Sequence, residues 1–313
     1  MQLTIRPLKE DDLPAADIVY RIAFGTLAGL SVPIRYGGDT NYVATRWAAD
    51  SSAAFVADVE GKPVGSIFAA NWGSVAILGP LTVHPNVWHK AVGTHLLEAI
   101  MKLVDHWEPD HVGLHTVVHS AKHIALFRKF GFWPGCLIEI MSKPVRETEE
   151  GPHRRLFSEL SADGKSEALE ACRRVTDSLY KGLDVEREIR AVDAQDLGDT
   201  ALLYDLGELC GFAVCHWGPG TEAGGGRCYV KFGAVRRGAD SGRQFERLLE
   251  MCEVLAGARG KSELIAGVNT ARNRACRAMI DRGFHAESVG VAMHKPYDPG
   301  YNLEEVYAID DWR

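Results

Sequence analysis

The stretch Val83-His-Pro-Asn-Val-Trp-His-Lys-Ala-Val-Gly-Thr-His-Leu-Leu97 carries the most readable chemistry in this chain. An apolar run, Ala76 to Val83, ends just before Pro85. A short loop with Ala91, Gly93 and Thr94 follows. Leu96, Leu97, Ile100, Leu103 and Val104 then recur at helical spacing. A strand feeding a small-residue loop and a helix start gathers unpaired N–H groups at one point, and the helix dipole favours negative charge there. Small side chains let phosphate oxygens come close to the backbone. The stretch therefore reads as a pyrophosphate cradle and points to a nucleotide-type cofactor.

The elements that position this cradle occur twice. Phe55-Val-Ala-Asp-Val-Glu-Gly-Lys-Pro-Val-Gly65 resembles Leu203-Tyr-Asp-Leu-Gly-Glu-Leu-Cys-Gly211, each a strand, tight turn and strand. Asn71-Trp-Gly73 matches His216-Trp-Gly218, and Leu96-Leu97 matches Leu248-Leu249. Lys129-Phe-Gly-Phe132 matches Asp281-Arg-Gly-Phe284, and both halves close on Lys-Pro, at Lys143-Pro144 and Lys295-Pro296. The matches keep their order at offsets of about 145 to 152 residues, far beyond a solenoid period. A duplicated domain follows: residues 1–146, a linker at 147–153 and a second domain at 154–313. The boundary stretch Arg146-Glu-Thr-Glu-Glu-Gly-Pro152 is charged and ends in Gly-Pro, which reads as a linker. Each half reads strand, helices, two or three strands, helix, strand, helix, strand. That mixture of hairpins and crossovers predicts an α/β (α+β) fold, with a mixed, mostly antiparallel twisted sheet flanked by helices in each half.

Composition excludes several function classes. The 313 residues suffice for two domains. Hydrophobic content of 46% and charged content of 25% are ordinary for a globular protein. A formal net charge of −7 argues against general nucleic-acid binding. Seven scattered cysteines form no CxxC pair. They read as reduced structural thiols of a cytoplasmic protein, with no disulfide frame and no metal site. No apolar run approaches the roughly 18 residues of a membrane span, and the N-terminus has no signal-like segment.

The order of elements, the loop and the closing Gly-Phe resemble the GCN5-related N-acetyltransferase (GNAT) superfamily. Its cofactor loop runs Arg/Gln-x-x-Gly-x-Gly/Ala after a Val-x-Pro strand end and is followed by Leu-Leu. Val83-His84-Pro85, Gly93 and Leu96-Leu97 match; Trp88 stands at the Arg/Gln position and Ala91 at the first glycine. The family's next motif, Asn-x-x-Ala-x-x-Leu-Tyr-x-x-x-Gly-Phe, is represented by Ser120-Ala-Lys-His123-Ile-Ala-Leu126-Phe127-Arg-Lys-Phe-Gly131-Phe132. The resemblance covers nearly all of the first half and, more weakly, the second.

The resemblance implies an acetyl-CoA site in a tandem GNAT protein. Leu81, Thr82 and Val83 would offer main-chain groups to the pantetheine arm at a splayed strand. Amides of Trp88, His89, Lys90, Ala91, Val92, Gly93 and Thr94 would hold the pyrophosphate, with Lys90 adding charge, and Ser120 and Phe127 would flank the far side. The implied reaction is direct attack of an amine on the thioester. It needs a neutral amine, an oxyanion-stabilising amide and an acid for the departing thiolate. The family's frequent general acid is a tyrosine four residues before Gly-Phe. Phe127 takes that place in the first half and Met279 in the second. His115, His119 and His123 lie near this region, and His123, at the motif's alanine position, is the candidate catalytic group.

The remaining expectations concern the acceptor and the second copy. Phe24, Tyr36, Trp47 and Trp72 are the candidate acceptor-pocket residues, with core packing as the competing role. Arg35-Tyr-Gly-Gly-Asp39 reads as a lid or a turn. The acceptor is an amine on a small molecule or peptide, and the chain a monomer or homodimer. In the second half the loop Ala234 to Leu249 lacks Val-x-Pro and places Asp240 and Glu246 near the phosphate position, which is unfavourable for an anion. The first half is thus expected to hold the cofactor and the second not. Gly224-Gly-Gly226 reads as a hairpin tip. The segment Tyr301–Arg313 carries apolar residues among acids and reads as docking on the other half or on a second subunit. The missing tyrosine keeps a second function open, a non-catalytic acyl-CoA-binding or regulatory protein.

Overall fold

The structure, a computed structural model, describes residues 3–146 and 155–313, so the expected linker lies outside the described residues. The first half runs β1 (Leu3–Pro7), α1 (Leu13–Leu27), α2 (Tyr42–Ala49), β2 (Ala54–Val59), β3 (Lys62–Trp72) and β4 (Val75–Val83). It continues with α3 (Val92–Trp107), β5 (His111–Val117), α4 (Ala121–Arg128) and β6 (Trp133–Pro144). The second half repeats the succession: β7 (Arg155–Leu156), α5 (Ala162–Leu179), α6 (Glu186–Gln195), β8 (Gly198–Asp205), β9 (Glu208–Gly218) and β10 (Gly224–Val235). Then come α7 (Ser241–Ala258), β11 (Glu263–Asn269), α8 (Asn273–Asp281), β12 (His285–Lys295) and an added short strand, β13 (Ala308–Ile309). The repeat seen in the sequence is a repeat of structure.

The two halves share one sheet, ordered β1-β2-β3-β4-β5-β12-β6-β11-β10-β9-β8-β7, with β13 beside β10. Among the described residues only β4–β5 and β10–β11 are parallel pairs. Those are the pairs joined through helices α3 and α7, as a crossover requires. The closing strands are exchanged. β6 of the first half pairs with β11 of the second, from Ile138↔Asn269 to Pro144↔Glu263. β12 of the second half lies between β5 and β6. The sequence boundary therefore does not divide the sheet.

Helices cover both faces. On one face α3 buries Leu96, Leu97, Ile100 and Val104 against Ala57, Ile67, Leu78 and Leu114. Each such side chain contributes about 1.5–3 kcal/mol of burial. Helix α7 does the same in the second half with Phe245, Leu248, Leu249 and Cys252. On the opposite face α1 and α2 cover the first half, and α5 and α6 the second. There one core runs across both halves, joining Trp72, Val75 and Ile77 to Leu169, Ile189, Phe212 and Phe232.

The segment after β12 belongs to that core and docks within its own chain. Tyr301, Val306, Ala308, Ile309 and Trp312 are all at most 2% exposed. The Trp312 ring lies over Gly113 of β5, where an added Cβ would stand only 2.7 Å from it.

Candidate functional site

The site begins where β4 leaves β5. Their parallel register runs from Val75↔His111 to Leu78↔Leu114 and stops. The next residues, Gly79 and Pro80, sit in a bulge against β3, where the register slips between Ile67 and Ala69. A proline has no N–H for a ladder, which suits it to such a break. Beyond it Leu81, Thr82 and Val83 pair only with β3, opposite Ile67, Ser66 and Gly65. Their edge toward β5 stays open among the described residues.

The cradle lies at the end of that edge. Helix α3 has no side-chain cap, and its N-cap Ala91 has φ 58°, a left-handed conformation. His89 is left-handed as well, with φ 65°. The uncapped first turn leaves the amides of Val92, Gly93 and Thr94 without side-chain acceptors, which suits an anion. Lys90 is exposed beside it. A Cβ built on Gly93 would lie 3.4 Å from Leu126 and 3.8 Å from Val83, so little space separates the helix from the strand end. Trp88 closes the loop: its indole Nε1 donates to the Val83 carbonyl at 2.7 Å. Its own backbone N–H is already used on Pro85, at 3.1 Å. The cradle amides thus begin after Trp88.

The far wall is built by α4. Ser120 caps this helix, its Oγ accepting from the His123 N–H at 3.4 Å. Phe127 is buried in the core beneath α3 and meets Phe132 edge-on at 6.4 Å. Met279 is fully buried in the second half. Both places of the missing tyrosine are therefore core positions. His123 lies in the first turn of α4. Partial burial, then the nearby His119 and Lys122, lower its pKa, so its ring is held toward the neutral form.

Opposite the cradle stand aromatic side chains. Phe24 and Tyr36 stack at 5.6 Å; Tyr20 lies 4.9 Å from Phe24, and Tyr42 stacks on Tyr20 at 5.5 Å. Tyr20 was legible as the i, i+4 partner of Phe24 on one helix; Tyr42 had no such signal. Of the two tryptophans, Trp47 packs against this same cluster and Trp72 belongs to the core shared by both halves. Trp47 donates to the Leu8 carbonyl at 2.9 Å. Trp72 is 3% exposed, edge-on to Phe232 at 5.6 Å, and donates to Glu188 at 3.0 Å. The segment Arg35–Asp39 is fastened on both sides. Arg21 donates to the carbonyls of Tyr36, Gly38 and Thr40, and Asp39 accepts from the Gly225 N–H at 3.0 Å. Gly224–Gly226 is thus the start of β10, gripped from the first half.

Two further groups stand where β4 and β5 part: His115, read from the sequence only as one of three nearby histidines, and Arg313, read only as part of the tail. His115 follows the last β4–β5 pair, with Nδ1 buried and without a hydrogen-bond partner. Burial pushes its pKa down to about 4. The Arg313 backbone lies 4.0 Å from the Cβ position of Gly79. Its guanidinium pairs with Asp311 at 2.9 Å and lies over the Tyr229 ring.

The equivalent place in the second half is occupied by the chain itself. β10 and β11 pair as far as Val230↔Ala266 and then part. β13 enters the gap and pairs with β10, Gly233↔Ile309 and Ala234↔Ala308. Tyr307 packs on Phe245 at 5.3 Å and lies 3.0 Å from the Cβ position of Gly242. Glu305 pairs with Arg237, and Glu304 with Arg274 at 3.6 Å. These acids stand by the start of α7, where a phosphate would dock. Asp240, expected as the obstacle, is 67% exposed along its side chain and turned to Arg243.

Residues 30–132 match the acetyltransferase (GNAT) family. No curated protein matches the chain in sequence. Solved structures resemble it along nearly its whole length. A Pyrococcus horikoshii protein is 14% identical, covering 99% of this chain and 95% of its own, with a TM-score of 0.70. The Saccharomyces cerevisiae N-myristoyltransferase, solved with bound myristoyl-CoA, is 11% identical, covering 93% and 82%, with a TM-score of 0.62. A tandem GNAT protein from the clavulanic acid biosynthesis pathway is 13% identical, covering 95% and 100%, with a TM-score of 0.54. At these identities the likeness is one of fold.

Proposed function

Because the chain carries a GNAT acetyltransferase domain within the fold of a tandem GNAT protein, we propose that its first half binds acetyl-CoA and transfers the acetyl group to an amine. The observation that supports this is the contrast between the two strand gaps. One is open beside an uncapped helix start; the other is filled by β13. In this reading Leu81, Thr82 and Val83 bind the pantetheine arm along the open edge. The amides from His89 to Thr94, with Lys90, hold the pyrophosphate, and Ser120 lies across from them. Acetyl-CoA supplies an activated acyl group. The chain's part is to place it, hold an N–H toward its carbonyl oxygen and keep the amine neutral.

His123, kept neutral by its surroundings, suits accepting the amine proton better than donating one to sulfur. With Phe127 and Met279 unable to donate, the thiolate departs without help from those positions. The acceptor is a small molecule or peptide entering past Phe24, Tyr36 and Tyr42. Free cysteines throughout the described residues suit a reducing cytoplasm. Among the described residues no helix is long and apolar enough to cross a membrane.

The burial of Phe127 and Met279 in the two cores also favours a second reading, a protein that binds acyl-CoA without turning it over. Calorimetric titration of the whole chain with acetyl-CoA, followed by thiol release across an amine panel, separates the two. One bound equivalent with amine-dependent release is expected. Binding without release supports the second reading, and no binding overturns both.

A further inference from the structure

The bulge at Gly79 is held from the second half. The Arg46 guanidinium, on α2, donates from Nη1 to the Gly79 carbonyl at 3.3 Å. Its Nε and Nη2 meet both oxygens of Glu222 at 2.7 and 3.1 Å, a fork-to-fork pair. Nη2 also donates to the Arg313 carbonyl. The Arg46 and Glu222 side chains are 7% and 0% exposed. Glu222 belongs to the turn between β9 and β10. It accepts in addition from Lys231 at 2.8 Å, and Lys231 pairs with Glu188 at 3.1 Å. Glu188 accepts the Trp72 indole. Both ends of this chain, Trp72 on β3 and Gly79 on β4, lie in the first half, and its middle comes from the second.

Burial alone would raise the Glu222 carboxyl; Arg46 and Lys231 outweigh it and hold the group well below the usual carboxylate range. Two cationic side chains, Arg46 and Lys231, thus face two acidic ones, Glu222 and Glu188, away from water. A buried network of this kind is often no more stabilising than apolar packing of the same volume, so its use lies in geometry. The same helix is fastened once more, since the Asn41 N–H donates to the Thr221 carbonyl at 3.0 Å, one residue from Glu222. The carbonyl that Arg46 holds sits at the fork of β4 and β5. The first N–H after Pro80 is that of Leu81, so fixing the Gly79–Pro80 peptide fixes where that N–H points.

We infer that Glu222 of the second half is a positioning residue for the acyl site of the first, acting through Arg46 on the Gly79–Leu81 bulge. This rests on the acetyl-CoA reading and adds what the second half contributes to it. In that reading the bulge, where β4 and β5 part, lies at the acyl end of the arm, and the pyrophosphate lies at the start of α3. Loosening the bulge therefore alters the carbonyl's surroundings and leaves the affinity for the rest of the molecule intact.

The test compares Glu222→Gln, Arg46→Lys and the double variant Arg46→Met/Glu222→Met with the wild type. The double variant removes the pair together and leaves Lys231 with Glu188, so it keeps the fold if a single change does not. Free CoA is titrated into each, and the carbonyl stretch of bound [1-13C]acetyl-CoA is read by infrared difference spectroscopy. Wild type should shift the stretch to lower frequency. The folded variants should bind CoA within about threefold of wild type while the stretch returns toward its free value. With a working acceptor, kcat should fall at least tenfold with KM for acetyl-CoA unchanged. A folded variant with the wild-type stretch and kcat overturns the inference. A wild type that binds no acetyl-CoA overturns the underlying site assignment instead.

Discussion

Past Leu78 in the first half and past Val230 in the second, two parallel strands separate in the same way. What fills the gap differs. In the second half the chain's own β13 bonds to the freed edge of β10, Tyr307 covers the helix start, and Glu305 stands in for an anion on Arg237. In the first half the freed edge of β4 meets no strand among the described residues, and α3 starts uncapped. A strand edge inside a protein is a row of donors and acceptors that something must satisfy. The difference teaches that two copies of a duplicated fold can keep the same parting of strands while the chain's own peptide closes one of the gaps. The same segment continues from β13 to the bulge at Gly79, so the filled gap of one half helps wall the open gap of the other.

The strongest way to break this comparison is to obstruct each helix start in turn. Gly93→Trp should lower acetyl-CoA affinity at least about 100-fold, or some 2.7 kcal/mol. A Cβ there already touches Leu126, Val83 and Leu81, so an indole has to push apart the helix start and the open strand edge. Gly242→Trp meets Tyr307 instead and should cost stability while leaving affinity unchanged. Titration calorimetry and thermal melts on both variants decide it. Loss of binding in the Gly242 variant would put the site in the wrong half.

Next in size is removal of the plug. Tyr307→Ala takes a half-buried ring off Phe245 and should destabilise the chain by about 2 kcal/mol, less than truncation of a fully buried aromatic. Glu304, Glu305 and the β13 pairing remain, so acetyl-CoA should still bind at one equivalent per chain. A second equivalent would mean that the gap in the second half is a working site held shut by one side chain.

Much of this was legible beforehand, for identifiable reasons. The repeat, the strand-loop-helix cradle and the apolar face of α3 are local patterns, and local patterns survive folding. The exchange of β6 and β12 was not legible. It depends on which of several similar strands pair across some 150 residues, and each strand suits either neighbour equally well. Arg46, Glu188, Glu222 and Lys231 each look like surface charges in a sequence; only the fold puts them together away from water. Trp72 was misleading for the opposite reason. Its aromatic character suits a pocket, but its neighbours come from the other half and make it core. Asp240 and Glu246 read as the obstacle in the second half, but Tyr307, Glu304 and Glu305 of the tail are the side chains that stand at that helix start.

Acid should act on both halves together, because they share one sheet. His115 and His111 in the first half and His216 in the second all have pKa values pushed down to about 4, chiefly by burial. A second cause opposes the shift at His115, where Asp311 is near, and at His216, where Glu222 is near; at His111 the neighbouring His294 adds to it. The unfolded chain then binds more protons than the folded one between about pH 6.5 and 4. Their contribution is complete above about pH 6.5 and is lost as the pH falls toward 4, by up to about 1.4 kcal/mol per pH unit for each histidine. Denaturant melts at pH 7, 6 and 5 should show this slope in a single transition. His115→Gln should flatten it. Two separated transitions would show that the halves unfold independently despite the exchanged strands.

The smallest expected effect is the most local test of the two helix starts. Ala91 holds a left-handed conformation at the N-cap of α3, whereas Asp240, at the N-cap of α7, has φ −93° and no such demand. An L side chain in the left-handed region costs roughly 1–2 kcal/mol, and glycine avoids that cost. Glycine also loses more chain entropy on folding, by about 0.4–1 kcal/mol. The balance makes Ala91→Gly stabilising by about 0.5 kcal/mol, with a rise in acetyl-CoA affinity of a few-fold as the backbone opens to the phosphates. At Asp240 there is no strain to relieve and only the entropy remains, so Asp240→Gly should destabilise by about 0.5 kcal/mol and leave affinity alone. Opposite signs in paired melts would tie the strained loop to the half that binds. Equal signs would mean that the left-handed turn at Ala91 is no tighter than its counterpart and that the conformation of the cradle is not what separates the two halves.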